Sequence, residues 1–126
     1  MRISRKELMF GISRLLGMRG TCPRARVGCV IELDGRILST GYNGSLSGED
    51  HCDDVGCLMV DGHCVRTNHA EANAIAFAAK HGIRLDGATL YTTGWHSGSC
   101  STCTKLAKAA GIKQVITEGR CSIPIV

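Results

Sequence analysis

Ala88-Thr89-Leu90-Tyr91-Thr92-Thr93, followed by Cys100-Ser101-Thr102-Cys103 and its helical continuation, and then by Lys113-Gln114-Val115-Ile116-Thr117, is the stretch that decides the fold. The two outer pieces are short and rich in β-branched and aromatic residues, as strands are. The piece from Cys100 to about Ala110 puts Leu106, Ala107 and Ala110 on one helical face, and Gly111 ends it. Strand, helix and strand at this spacing predict a parallel pair joined by a right-handed crossover.

Upstream, Asn68 is placed to cap a helix that starts at His69. Ala70, Ala74, Ile75, Ala78 and Ala79 give that helix a small, apolar face, and Gly82 closes it. Val27 to Leu33 reads as a strand, Asp34-Gly35 as a hairpin turn, and Arg36 to Thr40 as the returning strand. Gly41-Tyr42-Asn43-Gly44 follows as a glycine-flanked turn that lets backbone approach a ligand. Ser4-Arg5-Lys6-Glu7 is a capping box, with Ile3 and Leu8 placed for a hydrophobic staple. Leu8, Met9, Ile12, Leu15 and Leu16 then predict a helix to about Gly17 that packs on a sheet face. The order α-β-β-α-β-α-β predicts one domain over residues 1–126, an α/β protein. Its architecture is a three-layer α/β/α sandwich on a mixed sheet with an N-terminal β-hairpin.

With 126 residues the chain is long enough for a real core. No apolar run approaches a membrane span, and the N-terminus lacks the pattern of a signal peptide, so a cytoplasmic protein is expected. The net charge of +4 is mild, with a small concentration at Arg24, Arg26 and Arg36. It suits a solvated surface or a phosphate-bearing small ligand, and it does not demand a polynucleotide track.

Eight cysteines in such a chain need a reason, and metal binding is a better one than a disulfide scaffold. Cys29, inside an apolar strand, reads as a small core residue; Cys121 has no reading. His69, Cys100 and Cys103 lie at the starts of two successive helices, where thiolates are stabilised. One His and two Cys bind Zn²⁺ with the fourth position open, as catalytic sites require. Glu71 lies on a different helical face from His69, toward that open position, where an unliganded carboxylate serves as proton shuttle. The long segment from Ser45 to Thr67 shows no periodicity. It carries His51, Cys52, Cys57, His63 and Cys64, which suggests that a second, structural zinc ties it down.

His69-Ala70-Glu71 with Cys100-x-x-Cys103, together with Val27-Gly-Cys-Val-Ile and Gly41-Tyr-Asn-Gly44, resembles the deoxycytidylate (dCMP) deaminase family of the zinc cytidine deaminase superfamily, of phage or bacterial type. The resemblance implies the cytidine deaminase type of sandwich and hydrolytic deamination of dCMP to dUMP in the nucleotide pool. Zinc would sit on His69, Cys100 and Cys103, with Glu71 as proton shuttle. It places Arg26, Asn43 and Ala70 on the substrate: Asn43 at the deoxyribose and Arg26 at the phosphate. Members regulated by dCTP and dTTP, with Mg²⁺ accompanying the nucleotide, carry allosteric residues at positions matching Tyr42, Asn43, Phe77 and Lys80. Phage members use ligands matching Cys22 and Cys52 for a second zinc; Cys57 and Cys64 complete that set here, with His51 and His63 as competing ligands. A homo-oligomer, often a hexamer, is implied, with a neighbouring subunit completing the pocket. The expected location is cytoplasmic, or the host cytoplasm for a phage protein.

The chain departs from the family in one loop. The usual proline before the Cys-x-x-Cys pair is missing, and Trp95 and His96 occupy a longer connection. They are placed to stack on the base, to act as a lid, or only to cover the surface. Three alternatives stay open: a deaminase of dCTP or 5-substituted dCMP, a deaminase of tRNA adenosine, and a non-catalytic zinc module. Glu71 argues against the last, because a structural site has no use for an unliganded base.

Overall fold

The computed structural model describes residues 1–94, 101–118 and 122–124. Its elements are α1 (Arg5–Gly17), β1 (Gly28–Leu33), β2 (Arg36–Tyr42), α2 (Cys52–Val55), β3 (Met59–Val60), β4 (His63–Cys64), α3 (Ala70–His81), β5 (Thr89–Thr92), α4 (Ser101–Ala109), β6 (Gln114–Thr117) and β7 (Ser122–Pro124). The sheet order is β2-β1-β5-β6-β7, with β3 and β4 forming a separate hairpin.

β1 is nearly all apolar because both of its faces are covered. Cys29 and Ile31 face α3 and α4, in a core with Leu90, Ala70, Ala74, Ala78 and Ala107. Val30 faces the other way, onto Met9 and Phe10 of α1, with Tyr91 beside it. That alternation makes three layers, as expected. β1 is antiparallel to β2 and β5, and β5 is parallel to β6, so the sheet is mixed. The hairpin turn places Asp34 at φ 51° and Gly35 at φ 83°, the positive values a two-residue turn of this kind needs. β2 runs past its expected end at Thr40, because Gly41 and Tyr42 still pair with Cys29 and Gly28.

Three local expectations are corrected. The α1 capping box forms, but the buried face is Met9, Phe10, Ser13 and Gly17, while Leu8 and Leu15 are 44% and 68% exposed. Close approach of backbones decides this: a Cβ on Gly28 would collide with the Ser13 carbonyl and lie 2.5 Å from the Gly17 nitrogen. Small residues at the contact let the helix lie against β1, and that rotates the larger leucines outward. The N-cap of α3 is His69, not Asn68; Asn68 exchanges backbone hydrogen bonds with Gly44. The segment from Ser45 to Thr67 is not structureless, since it contains α2 and the β3–β4 hairpin. Among the described residues, no helix is long and apolar enough to cross a membrane.

Candidate active site

The N-terminus of α3 is held against the sheet by small residues. A Cβ on Gly41 would run into the Ala70 carbonyl and lie 2.8 Å from the Ala74 nitrogen. This contact brings the first turn of α3 beside the end of β5. His69, the cap residue, has extended backbone and makes no side-chain capping bond. Its imidazole points elsewhere: Nδ1 lies 3.3 Å from Cys103 Sγ at the start of α4. Glu71 in the first turn is 5% exposed, and its Oε1 accepts a 2.5 Å hydrogen bond from Thr92 Oγ1. Thr92 is itself oriented by the Gly94 N–H, which donates to its hydroxyl at 3.0 Å. Glu71 Oε2 is buried and has no hydrogen-bond partner among the described residues.

His69, Glu71 and Cys103 bring their ligand atoms within 4.8 Å of one another. Helical spacing alone would set His69 and Glu71 on different faces. It does not apply across a cap residue in extended conformation, so both reach one point. Cys100, the expected third ligand, lies outside the described residues, as do Trp95, His96 and Cys121. The donor set fits zinc. An imidazole nitrogen and a thiolate sharing a tetrahedral ion lie about 3.5 Å apart, from bond lengths of about 2.0 and 2.3 Å.

A second cluster lies nearby. Cys22, Cys52, Cys57 and Cys64 also have their sulfurs within 4.8 Å of one another. Cys22 and Cys57 are 3.6 Å apart, and Cys52 and Cys64 are 3.5 Å apart. Four thiolates on one tetrahedral zinc have edges of about 3.8 Å, so this set also fits. Cys22 sits in the turn before β1, Cys52 opens α2, and Cys57 and Cys64 bracket the β3–β4 hairpin. Burial would raise the Cys64 thiol, but the backbone N–H groups of Thr67, Arg66 and Leu58 bring it down to about 6. Cys57, hydrogen-bonded to Cys22 and then desolvated, is pushed up to about 12. His51 and His63 stand outside this set. His51 Nδ1 meets Thr21 Oγ1 at 3.1 Å, and His63 lines a cavity instead.

That cavity, of about 230 Å³, joins the two clusters: Cys22 and Cys64 line it together with His69, Ala70 and Glu71. Asn43 and Arg24 line it too. Both ends of the Asn43 amide are engaged: Oδ1 accepts from the Val27 N–H and Nδ2 donates to the Ala25 carbonyl, each at 2.7 Å. Arg26 is paired with Asp53 at 2.8 and 3.1 Å and also donates to the Gly20 carbonyl. That guanidinium holds the Asp53 carboxyl below its ordinary value. Cys29 is a fully buried thiol whose S–H donates to the Ala70 carbonyl at 3.3 Å. Burial, and then the charge of Glu71, push it well up, in keeping with a core role.

Tyr42, Phe77 and Lys80 lie away from the cavity lining. Phe77 is half exposed and stacks on His81 with ring centroids 4.3 Å apart. The Tyr42 carbonyl accepts from the Asn73 amide at 2.9 Å. Sequence reasoning missed Thr92, which fixes Glu71 Oε1. A threonine at the inward end of a strand aimed at a helix N-terminus was the available signal for Thr92.

An imidazole and a thiol side by side, with a buried carboxylate at the N-terminus of α3, make a candidate zinc site on a mixed sheet. The model of the cytidine and deoxycytidylate deaminase zinc-binding region matches residues 4–118, and the chain belongs to that family. Among individual relatives, ComE operon protein 2 of Bacillus subtilis (strain 168) is 48% identical over 114 residues, 90% of this chain and 59% of its own length. The chain therefore spans somewhat more than half of that relative. Deoxycytidylate deaminase of Enterobacteria phage T2 is 32% identical, over 83% of this chain and 74% of the phage protein. The crystal structure of dCMP deaminase from the cyanophage S-TIM5 in complex with dCMP and dUMP superposes with a TM-score of 0.77. Its identity is 33%, and the match covers 93% of this chain and 82% of that one.

Proposed function

We propose that the chain hydrolyses dCMP to dUMP and ammonia at the cavity formed by His69, Ala70 and Glu71. The observation that carries this reading is the Glu71 carboxylate. One oxygen is fixed by Thr92, and the other is buried without a partner among the described residues, beside a donor pair that suits zinc. His69 and Cys103, with Cys100 as third ligand, would hold the ion. Zinc, when bound, acts as a Lewis acid that makes water ionisable near neutral pH. Glu71 takes a proton from the attacking water on Oε2 and passes it to N3 of the cytosine. The water oxygen forms its bond to C4, the C4–N4 bond breaks, and Glu71 delivers the remaining proton to the departing amine. Thr92 keeps the carboxylate in one rotamer through both transfers. The Ala70 N–H, in the first turn of α3, has no intrahelical acceptor by helix geometry and is set to donate to the base. Asn43 holds the 25–27 segment that forms the cavity wall and contributes its remaining acceptor capacity at the sugar.

The cysteine cluster holds a second zinc with a structural role; its four closely spaced sulfurs support this. The half-exposed Phe77 and the neighbouring exposed Lys80 support regulation by dCTP and dTTP, with Mg²⁺, at an interface of a homo-oligomer. A sigmoidal dCMP curve straightened by dCTP and opposed by dTTP is expected; hyperbolic kinetics indifferent to both would remove that part. The central test is ammonia release from dCMP, dCTP, deoxycytidine and 5-methyl-dCMP. The expected order puts dCMP first, and no release from dCMP would overturn the reading.

A further inference from the structure

Asn73 lies on α3 two residues after Glu71, and its half-buried side chain meets the turn that follows β2. Its Nδ2 donates to the Tyr42 carbonyl at 2.9 Å and reaches the Gly44 carbonyl at 3.4 Å. The register of β2 ends at Tyr42, paired with Gly28, so the residues beyond it need another anchor. Gly44 finds part of it in Asn68, with which it exchanges backbone hydrogen bonds of 3.1 and 2.9 Å. Asn73 supplies the rest from the helix itself. Both of its targets are carbonyl oxygens, and a primary amide carries two N–H donors for them, which a carboxylate lacks. The two carbonyls flank Asn43, which is 5% exposed and lines the cavity. The Asn43 N–H donates to the Val27 carbonyl at 3.1 Å, and its side chain holds Ala25 and Val27. Those two residues line the cavity as well. A run of hydrogen bonds therefore leads from α3, through Asn73 and the 42–44 turn, to a wall of the same cavity that His69, Ala70 and Glu71 line.

We propose that Asn73 is a positioning residue: by holding the Tyr42 and Gly44 carbonyls it fixes the Asn43 wall of the cavity relative to Glu71, so that a ligand seated against that wall meets the carboxylate in register. Asn73 is not itself among the residues lining the cavity, and it acts through Asn43. α3 does not depend on it for its place on the sheet. The Ser39 hydroxyl donates to the Ala74 carbonyl at 2.7 Å, and Gly41 abuts Ala70 and Ala74. What is left to Asn73 is the turn beyond the strand. The proposal rests on the reading of the cavity as the dCMP site.

The test compares N73A, N73D, N43A and the N43A/N73A double variant with the unaltered protein. Thermal midpoint and zinc per chain are measured in each, and kinetics are expressed per folded, zinc-loaded chain. Alanine is a better helix former than asparagine, so N73A removes the contact without weakening α3. N73A is expected to lower kcat/KM for dCMP, and to weaken dUMP binding measured by calorimetry, by about 3- to 10-fold, the range for a neutral hydrogen bond. N73D, which sets acceptors against two carbonyls, should lose more. The double variant should match N43A to within about twofold, because both substitutions break one run of contacts. Hydrogen exchange at the Val27 and Asn43 amides should quicken in N73A and N73D while the amides of α3 keep their protection. Kinetics and dUMP binding in N73A within about twofold of the original overturn the proposal, as do losses that multiply in the double variant, since the two residues would then act independently. Unchanged exchange at Val27 and Asn43 overturns it too, and this readout stands even where N43A does not fold. A lowered thermal midpoint with unchanged kinetics per folded chain assigns Asn73 to stability alone and also overturns it. An unaltered protein that neither turns over dCMP nor binds dUMP sinks the deaminase reading alone, because amide exchange in N73A still decides whether Asn73 holds the wall.

Discussion

At the scale of single residues, Glu71 and Thr92 carry the sharpest expectations. Glu71→Ala removes the proton carrier and leaves His69 and Cys103 in place. Ammonia release should fall by about 10³-fold or more, while zinc per chain stays at the original value; near-original activity would exclude Glu71 as the shuttle. Thr92→Val keeps the shape of the β5 terminus and deletes the 2.5 Å bond to Oε1. A hydrogen bond to a charged group contributes about 1.5–3 kcal/mol, so kcat should drop about 10- to 100-fold with KM little changed. A KM effect of similar size would mean that Thr92 acts on binding, not on the orientation of the carboxylate. Glu71 was legible from its place two residues after a histidine expected to ligate. Its partner was not, because Thr92 meets it only through the packing of α3 on β5.

At the scale of elements, two glycines let helices lie against strands. Gly28 admits α1, and Gly41 admits α3 with the first turn that carries Glu71. Gly28→Ala should destabilise the protein by about 1–3 kcal/mol or more, since a Cβ must displace backbone on the partner helix. Gly41→Ala should do the same and, in addition, lower kcat, because the group it pushes away is the Ala70 carbonyl beside Glu71. Thermal unfolding and steady-state kinetics on the two variants separate these effects: equal specific activity in both folded variants would refute the coupling of Gly41 to the site. The rotation of α1 belongs to this scale too. Leu8 and Leu15 share a helical stripe with Met9 and Ile12, so periodicity selected them for the core. The close contact at Ser13 and Gly17 overrode it, because backbone approach depends on the smallest residues and not on the largest.

At the scale of the whole molecule, the cysteine cluster ties the turn before β1 to α2 and to the hairpin that walls the cavity. Metal analysis of the intact chain should give two zinc ions, and Cys57→Ser, which leaves the cavity lining untouched, should give one. An ion bound only by the folded state stabilises it, so the same variant should unfold at a lower temperature and show a raised KM for dCMP. One zinc in the unaltered chain would rule out the second site.

The sequence by itself determined the type of the long helices and of the main strands, the apolar character of β1 and the capping box. It also singled out His69 and Glu71 as candidate site residues, and Cys22, Cys52, Cys57 and Cys64 as candidate ligands with His51 and His63 as competitors, because caps and ligand chemistry are written in local spacing. Only the tertiary structure decided which distant groups meet. Cys22 joins Cys57 across thirty-five positions, His63 leaves the thiol cluster for the cavity, and Arg26 turns to Asp53 while Arg24 faces the site. Those outcomes depend on strand register and on how closely backbones approach, and a residue's own neighbours in the chain do not carry that information.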